Sequence, residues 1–289
     1  MVINDLIQKD AIIKLKKDFN LTDQAFLIDY KGNITRLWLN NKGLKKIPEE
    51  ISAFLHLRYL YLYHNQIVEI KGLEKLKKLK NLYLQYNKIK KIEGLGTLSN
   101  LTLLDLRRNE IRRIVGINRL SQLERLYLND NQIMIMEGLE MLSHLKYLIL
   151  RGNQISKIEG LHNLPELKAL SIAKNKIKRI EGLDNLINLE LLDLSENQII
   201  RIEGLGNLSQ LNVLKLTRNK ITNIEELKGL VQLRVLNLED NPISKLEGLE
   251  GNFNLRHLYL DSSYLSKKEQ NMYKKGLEAV INYCKNLEN

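Results

Sequence analysis

The chain has 289 residues, yet only one cysteine, three prolines and one tryptophan. A lone Cys284 closes no disulfide within the chain. Exported repeat proteins usually carry disulfide-bonded ends, so a reducing, cytoplasmic (or nuclear) setting is expected. The scarcity of proline, with no Gly/Ser-rich stretch, leaves no flexible linker and predicts one continuous architecture. No apolar run approaches the roughly eighteen residues that would span a bilayer. The N-terminus lacks the apolar core of a secretory signal. The five histidines, His56, His64, His144, His162 and His257, are scattered, with no Cys/His cluster at metal-ligand spacing. No glycine-rich phosphate loop is present. These absences argue against an enzyme, and no cofactor or metal is expected.

What the chain has is leucine in register. Leu57, Leu79, Leu101, Leu123, Leu145, Leu167, Leu189, Leu211, Leu233 and Leu255 recur every 22 residues. Such a period marks an array of stacked units. A unit this short buries its apolar face only against its neighbours. Numbering each unit from its leading leucine, apolar residues hold positions one, four, six, eleven, fourteen, seventeen and twenty, as from Leu145 to Glu166. The alternation around positions three to seven has the period of a strand with one buried face. Stacking then pairs these strands in parallel, about 4.8 Å apart. Behind the strand the apolar spacing becomes three, which predicts 3₁₀ or one-turn helical pieces.

Position nine is asparagine in consecutive units: Asn65, Asn87, Asn109, Asn131, Asn153, Asn175, Asn197, Asn219 and Asn241. A carboxamide both donates and accepts, so each is expected to bond backbone groups of its own and the next unit. Position sixteen is glycine from Gly72 to Gly204 and again at Gly248, which suggests positive φ or a close backbone approach. Glu226 interrupts that series, and a different bend is expected there.

The string Leu-x-x-Leu-x-Leu-x-x-Asn-x-Ile-x-x-Ile-Glu-Gly-Leu-x-x-Leu resembles the leucine-rich-repeat family over residues 34–265. The 22-residue length and the Ile-Glu-Gly-Leu segment resemble an intracellular subclass whose namesake is the regulatory subunit of type 1 protein phosphatase. The resemblance implies an α/β repeat solenoid. Its form would be a right-handed horseshoe with a parallel β-sheet on the concave face, short 3₁₀ or helical pieces on the convex side, and a helical cap at each end. It also implies a phosphatase catalytic subunit as one candidate partner.

The expected domain plan is a cap over residues 1–33, eleven repeats over 34–265 and a cap helix over 266–289, all in one structural domain. In the first cap, Val2 to Phe19 reads as an amphipathic helix with Ile3, Leu6, Ile13 and Leu15 among its apolar positions. An edge strand from Phe26 to Tyr30 then returns through a tight turn at Gly32-Asn33. In the last cap, Tyr273, Leu277, Val280, Ile281 and Cys284 form one stripe of a helix beginning at Lys267.

The formal net charge is +11. Positions twelve and thirteen carry a basic ladder, including Lys90, Lys91, Arg112, Arg113, Lys178 and Arg179. Position fifteen carries an acidic one, Glu93, Glu137, Glu159, Glu181, Glu203, Glu225 and Glu247, and the two are expected to neutralise each other on one flank. No arginine–aromatic nucleic-acid motif appears, so direct binding of RNA or a ribonucleoprotein is the weaker alternative.

With positions four and six buried, positions three, five and seven point out of the sheet and position eight lies at its rim. The outward residues singled out are Trp38, Tyr59, Tyr61, Tyr63, Tyr83, Tyr86, Arg107, Arg108, Arg125, Tyr127, Tyr147, Arg151, Asp193, Glu196 and Tyr259. Tyrosine also favours strands, where cross-strand ladders stabilise a sheet. Tyrosine, tryptophan and arginine are equally the residues that dominate binding hot spots. The reading is a non-enzymatic interaction scaffold, monomeric on its own and away from membranes, that grips a folded protein partner.

Overall fold

The computed structural model describes residues 5–288. Their contacts form two compact units, one holding residues up to 133 together with 137–145, the other 134–136 and residues from 146 onward. In the first unit β1 (Phe26–Ile28) pairs antiparallel with β2 (Ile34–Trp38). Parallel strands β3 (Tyr59–Tyr61), β4 (Asn81–Tyr83), β5 (Leu103–Asp105) and β6 (Arg125–Tyr127) follow in chain order. The second unit holds β7 (Tyr147–Ile149), β8 (Ala169–Ser171), β9 (Leu191–Asp193), β10 (Val213–Lys215), β11 (Val235–Leu238) and β12 (His257–Leu260), again parallel and in chain order.

The register is that of the repeat. Position-four leucines stand opposite one another, as Leu60 does to Leu82, and those from Leu60 to Leu236 are 0% exposed. Burying each such side chain stabilises by about 1.5–3 kcal/mol, gained only when the next turn of the stack is present. Backbone pairing runs past the short strands: the Leu62 and Leu84 N–H groups donate to Tyr83 O and Asp105 O, each at 2.8 Å.

In the turn that follows a strand, position eight takes the left-handed region. His64, Tyr86, Arg108, Asp130, Lys174, Glu196, Arg218 and Asp240 have φ between 53° and 59°. That reversal turns the following asparagine inward. Asn87 Nδ2 donates to Leu62 O and Leu84 O at 3.0 Å, and its Oδ1 accepts the Ile67 N–H at 2.9 Å. The partners thus lie in its own and the preceding repeat, not the next one. The glycines of position sixteen are positive in φ, and a Cβ on Gly116 would stand 2.1 Å from Ile92 O. Glu226 does not bend differently: it takes φ 55°, and its carboxylate accepts the Gly204 N–H at 3.2 Å.

Behind the strands the expected 3₁₀ pieces are mostly single i→i+3 turns, such as Leu76 N–H to Leu73 O followed by Leu79 N–H to Leu76 O. Among the described residues, only Glu49–Ala53, after Pro48 in the longer first repeat, forms a continuous 3₁₀ segment there.

The ends depart further from expectation. Helix α1 is Leu6–Phe19, capped by Asp5; Val2 and Ile3 lie outside the described residues. It buries Gln8, Ala11, Ile12 and Leu15, leaving Leu6 and Ile13 exposed. The buried stripe is rotated because Gln8 Oε1 accepts the Ile34 N–H at 3.3 Å. The tight turn is a five-residue loop, Asp29 to Asn33, in which the Asp29 carboxylate accepts the Lys31 and Asn33 N–H groups. The C-terminal helix is two helices, α2 (Lys267–Lys274) and α3 (Leu277–Glu288), broken at Gly276 with φ 100°. Val280 and Cys284 bury, while the Tyr273 hydroxyl donates to Leu258 O at 3.2 Å. Among the described residues no helix is long and apolar enough to cross a membrane.

Candidate functional site

In the first unit the outward slots of neighbouring parallel strands fall about 4.8 Å apart, close to the separation at which aromatic rings stack. The sequence fills those slots with rings. Trp38 and Tyr61 stack with centroids 5.3 Å apart and planes 2° apart; Tyr61 and Tyr83 stack at 4.6 Å and 4°. A second row runs along the rim, where the left-handed turn places His64 and Tyr86 face to face at 4.1 Å. Tyr63 meets His64 edge-on at 5.7 Å. Partial burial among the rings pushes the Tyr61 hydroxyl above its ordinary pKa.

Arginines finish both rows. Arg36 lies 4.4 Å over the Tyr59 ring and Arg108 5.1 Å over Tyr86. Arg107 lies 5.6 Å over Tyr127 and grips Asp105 through paired bonds of 2.9 and 2.6 Å. That hydrogen bonding with Asp105 raises the Arg107 pKa further. Arg125 is exposed at the start of β6. The sequence reading missed Asp105, whose position-five slot points out of the sheet but whose side chain is buried. It also left out Arg36, although strand parity places it outward.

The second unit carries a different face. Tyr147 is half-buried at the head of β7. Ser171 at the end of β8 and Ala173 just after it are buried, and the Arg151–Glu196 ion pair, 2.6 Å, connects the turns on either side of that strand. The hydrogen bond from Arg151 holds the Glu196 carboxyl below its usual pKa, making it a weaker base than an ordinary glutamate. Asp193 accepts the Ser195 N–H at 3.1 Å and lies 3.4 Å from the Ser171 hydroxyl. Beyond it a recess of about 600 Å³ is lined by Asp193, Lys215, Glu239, Asp240 and Asp261, among others. Tyr259 is exposed on β12, stacked at 6.2 Å on His257. Trp38 through Tyr127 of the singled-out residues therefore share one sheet face and its rim in the first unit, and Tyr147 through Tyr259 share those of the second. Among the described residues no group of three or more His, Cys, Asp or Glu side chains is arranged to hold a metal ion.

Comparison with known proteins agrees with the fold. Models described as "Leucine Rich repeats (2 copies)", "Leucine-rich repeat" and "Leucine rich repeat" match residues 55–97, 81–181 and 200–243. No curated protein sequence matches significantly. Among solved structures, an internalin from Listeria monocytogenes is 27% identical with a TM-score of 0.74, over 90% of this chain and 76% of that one. An LRR protein from Leptospira interrogans is 25% identical with a TM-score of 0.63, over 85% and 82%. A TDR receptor is 26% identical with a TM-score of 0.68, but only 43% of its chain is covered against 80% of this one.

Proposed function

Given that this chain is built of leucine-rich repeats, we propose that it is a non-enzymatic scaffold that binds a folded protein partner on the outward face of its strands. The observation that carries the reading is the pre-stacked aromatic ladder Trp38–Tyr61–Tyr83 with its arginine-covered flank. These residues occupy slots that core packing leaves free, and stacking has already fixed their rotamers. A partner therefore meets a surface with little left to order, which lowers the entropic cost of association. Tyr147, Arg151, Asp193, Glu196 and Tyr259 form the second unit's own contact set. Its paired charges contribute more to orientation than to affinity.

The test begins by capturing and identifying a partner with the wild-type chain, then titrating the purified pair by calorimetry. Changing Tyr61, Tyr83 and Tyr127 together to alanine is expected to weaken binding roughly thirtyfold or more, about 2 kcal/mol. If the ladder only stiffens the sheet, the triple variant melts lower yet keeps its affinity, and the proposal fails. The resemblance to the phosphatase-regulator subclass narrows the candidate partner to a metallophosphatase catalytic subunit. A purified phosphatase neither bound nor altered in activity removes that narrower reading.

A further inference from the structure

On the flank of the first unit, away from the tyrosine face, the repeat's own charge rule breaks. Position thirteen of one repeat pairs with position fifteen of the next. Arg113 holds Glu137 at 2.7 and 3.1 Å, and in the second unit Arg179 holds Glu203 at 3.0 Å. The residue that corresponds to Lys91 in this scheme is Val115, where a glutamate stands in most other repeats. Val115 is 38% exposed, and Lys91 makes no ion pair with any described residue.

Two neighbouring acids are already engaged. Glu69 is bound by Lys71, and Glu110 lies 4.0 Å from Lys90. Arg112 is met only by a neutral acceptor, its Nε donating to Gln132 Oε1 at 3.1 Å. The groove lining thus holds four cations, Lys90, Lys91, Arg112 and Arg113, against one carboxylate, Glu110, with Glu137 held by Arg113 and Glu69 within electrostatic reach of Lys91. They line a groove of about 640 Å³ whose apolar member is Val115.

We propose that this groove docks an acidic peptide segment of a protein partner, a run of aspartate or glutamate with one apolar side chain set against Val115. Uncompensated cations around an apolar patch are complementary to that chemistry and to little else. Arg112, steadied through Nε, keeps both terminal nitrogens for planar, bidentate recognition of a carboxylate. The lining holds no aromatic ring on which a nucleic-acid base would stack.

The test is fluorescence anisotropy at low salt with a labelled Glu-Glu-Leu-Glu-Glu peptide. Its glutamine counterpart, a phosphoserine peptide and a single-stranded RNA serve as the other arms. The decisive variant is Val115→Glu, which writes the usual residue back into the ladder, pairs with Lys91 and leaves the fold intact by the precedent of the other repeats. It is expected to weaken acidic-peptide binding about fivefold or more without lowering the melting temperature, and Arg112→Gln to do the same. The glutamine peptide is expected not to bind. The tyrosine triple variant is expected to bind the peptide as the wild type does, which separates this site from the face proposed above. Absent binding to the wild type, or binding indifferent to both variants, overturns the proposal. Tighter binding of RNA or of the phosphoserine peptide, lost in the same variants, overturns the carboxylate assignment.

Discussion

Replacing one asparagine of the ladder by alanine tests the energetics of the stack, and the structure says the answer depends on which one. Inside the array each position-six carbonyl accepts two carboxamides. Leu84 O is bonded by Asn87 and Asn109, and Leu106 O by Asn109 and Asn131, all at 3.0 Å. Asn109→Ala therefore leaves both carbonyls partnered and strands one buried donor, the Ile89 N–H that Asn109 Oδ1 accepts at 3.0 Å. One orphaned donor costs about 1–3 kcal/mol, and the weakened carbonyl bonding adds up to about 1 more. Asn65 is different because Lys42 stands where a preceding asparagine would be. Its Oδ1 accepts two N–H groups, Lys42 at 2.9 Å and Leu44 at 3.1 Å, and it bonds Leu39 O at 2.9 Å with no second ladder amide on that carbonyl.

Asn65→Ala should consequently exceed Asn109→Ala by about 1–2 kcal/mol. Urea unfolding followed by far-UV circular dichroism and by Trp38 fluorescence measures both. Two probes are needed because a stack of repeats can lose its end before its middle. An Asn109→Ala change of less than about 0.5 kcal/mol would show that solvent repairs the orphaned donor, against the expected cost of an unmet buried group. An Asn65→Ala change no larger than Asn109→Ala would refute the bond-sharing argument itself.

Two glycines separate backbone strain from steric clash. Gly72 has φ 83° and open space around a notional Cβ, whereas Gly116 has φ 89° and Ile92 O at 2.1 Å. Gly72→Ala should cost about 1–2 kcal/mol and Gly116→Ala clearly more in thermal melts; equal losses would mean the stack parts freely. Glu269 sets an acid limit for the C-terminal end. Burial pushes its carboxyl up, but hydrogen bonds from Ser266 and the Leu246 N–H outweigh that and hold the folded pKa below the ordinary glutamate value. A lowered folded value means its stabilisation is full above the unfolded pKa and fades as pH falls through the folded one. Glu269→Gln should flatten the acid limb of stability against pH, and parallel curves for the two proteins would contradict the assignment.

The period of the chain made the strands, the buried leucines and the asparagine ladder legible, because each core position is repeated about ten times. A single odd residue such as Glu226 did not disturb that pattern in space, since a non-glycine can take the same left-handed φ when its carboxylate finds a backbone partner. The outward faces were legible only as far as strand parity reaches. Parity places Asp105 outside the sheet, yet its long neighbour Arg107 folds back onto it and removes it from solvent. Exposure of an outward residue is decided by the lengths of its neighbours, one of them here two residues along the same repeat and the others, Tyr83 and Tyr127, 22 residues away in the flanking strands. The broken charge rule at Val115 was present in the sequence. It acquired meaning only when Arg113 and Glu137 showed which positions pair.

The ends were misread for a reason that the ladder explains. An apolar-periodicity argument assigns core positions to apolar residues, and at the caps the inward positions are partly polar. Inside the array a carboxamide from the following repeat accepts a backbone N–H, as Asn87 does for Ile67. At either end a buried N–H that no neighbouring repeat meets must find its acceptor in the cap, since leaving it unmet costs about as much as a lost hydrogen bond. At the first unit Gln8 on α1 supplies an acceptor to the Ile34 N–H, and at the second Glu269 on α2 supplies one to the Leu246 N–H at 2.9 Å. Both side chains are buried: Gln8 beside the apolar Ala11, Ile12 and Leu15 of α1, and Glu269 as the buried residue of α2. A cap helix for a stack of this kind must therefore carry an acceptor on its inward face. Gln8→Leu, which improves the hydrophobic stripe of α1, should for that reason destabilise the first unit instead of strengthening it.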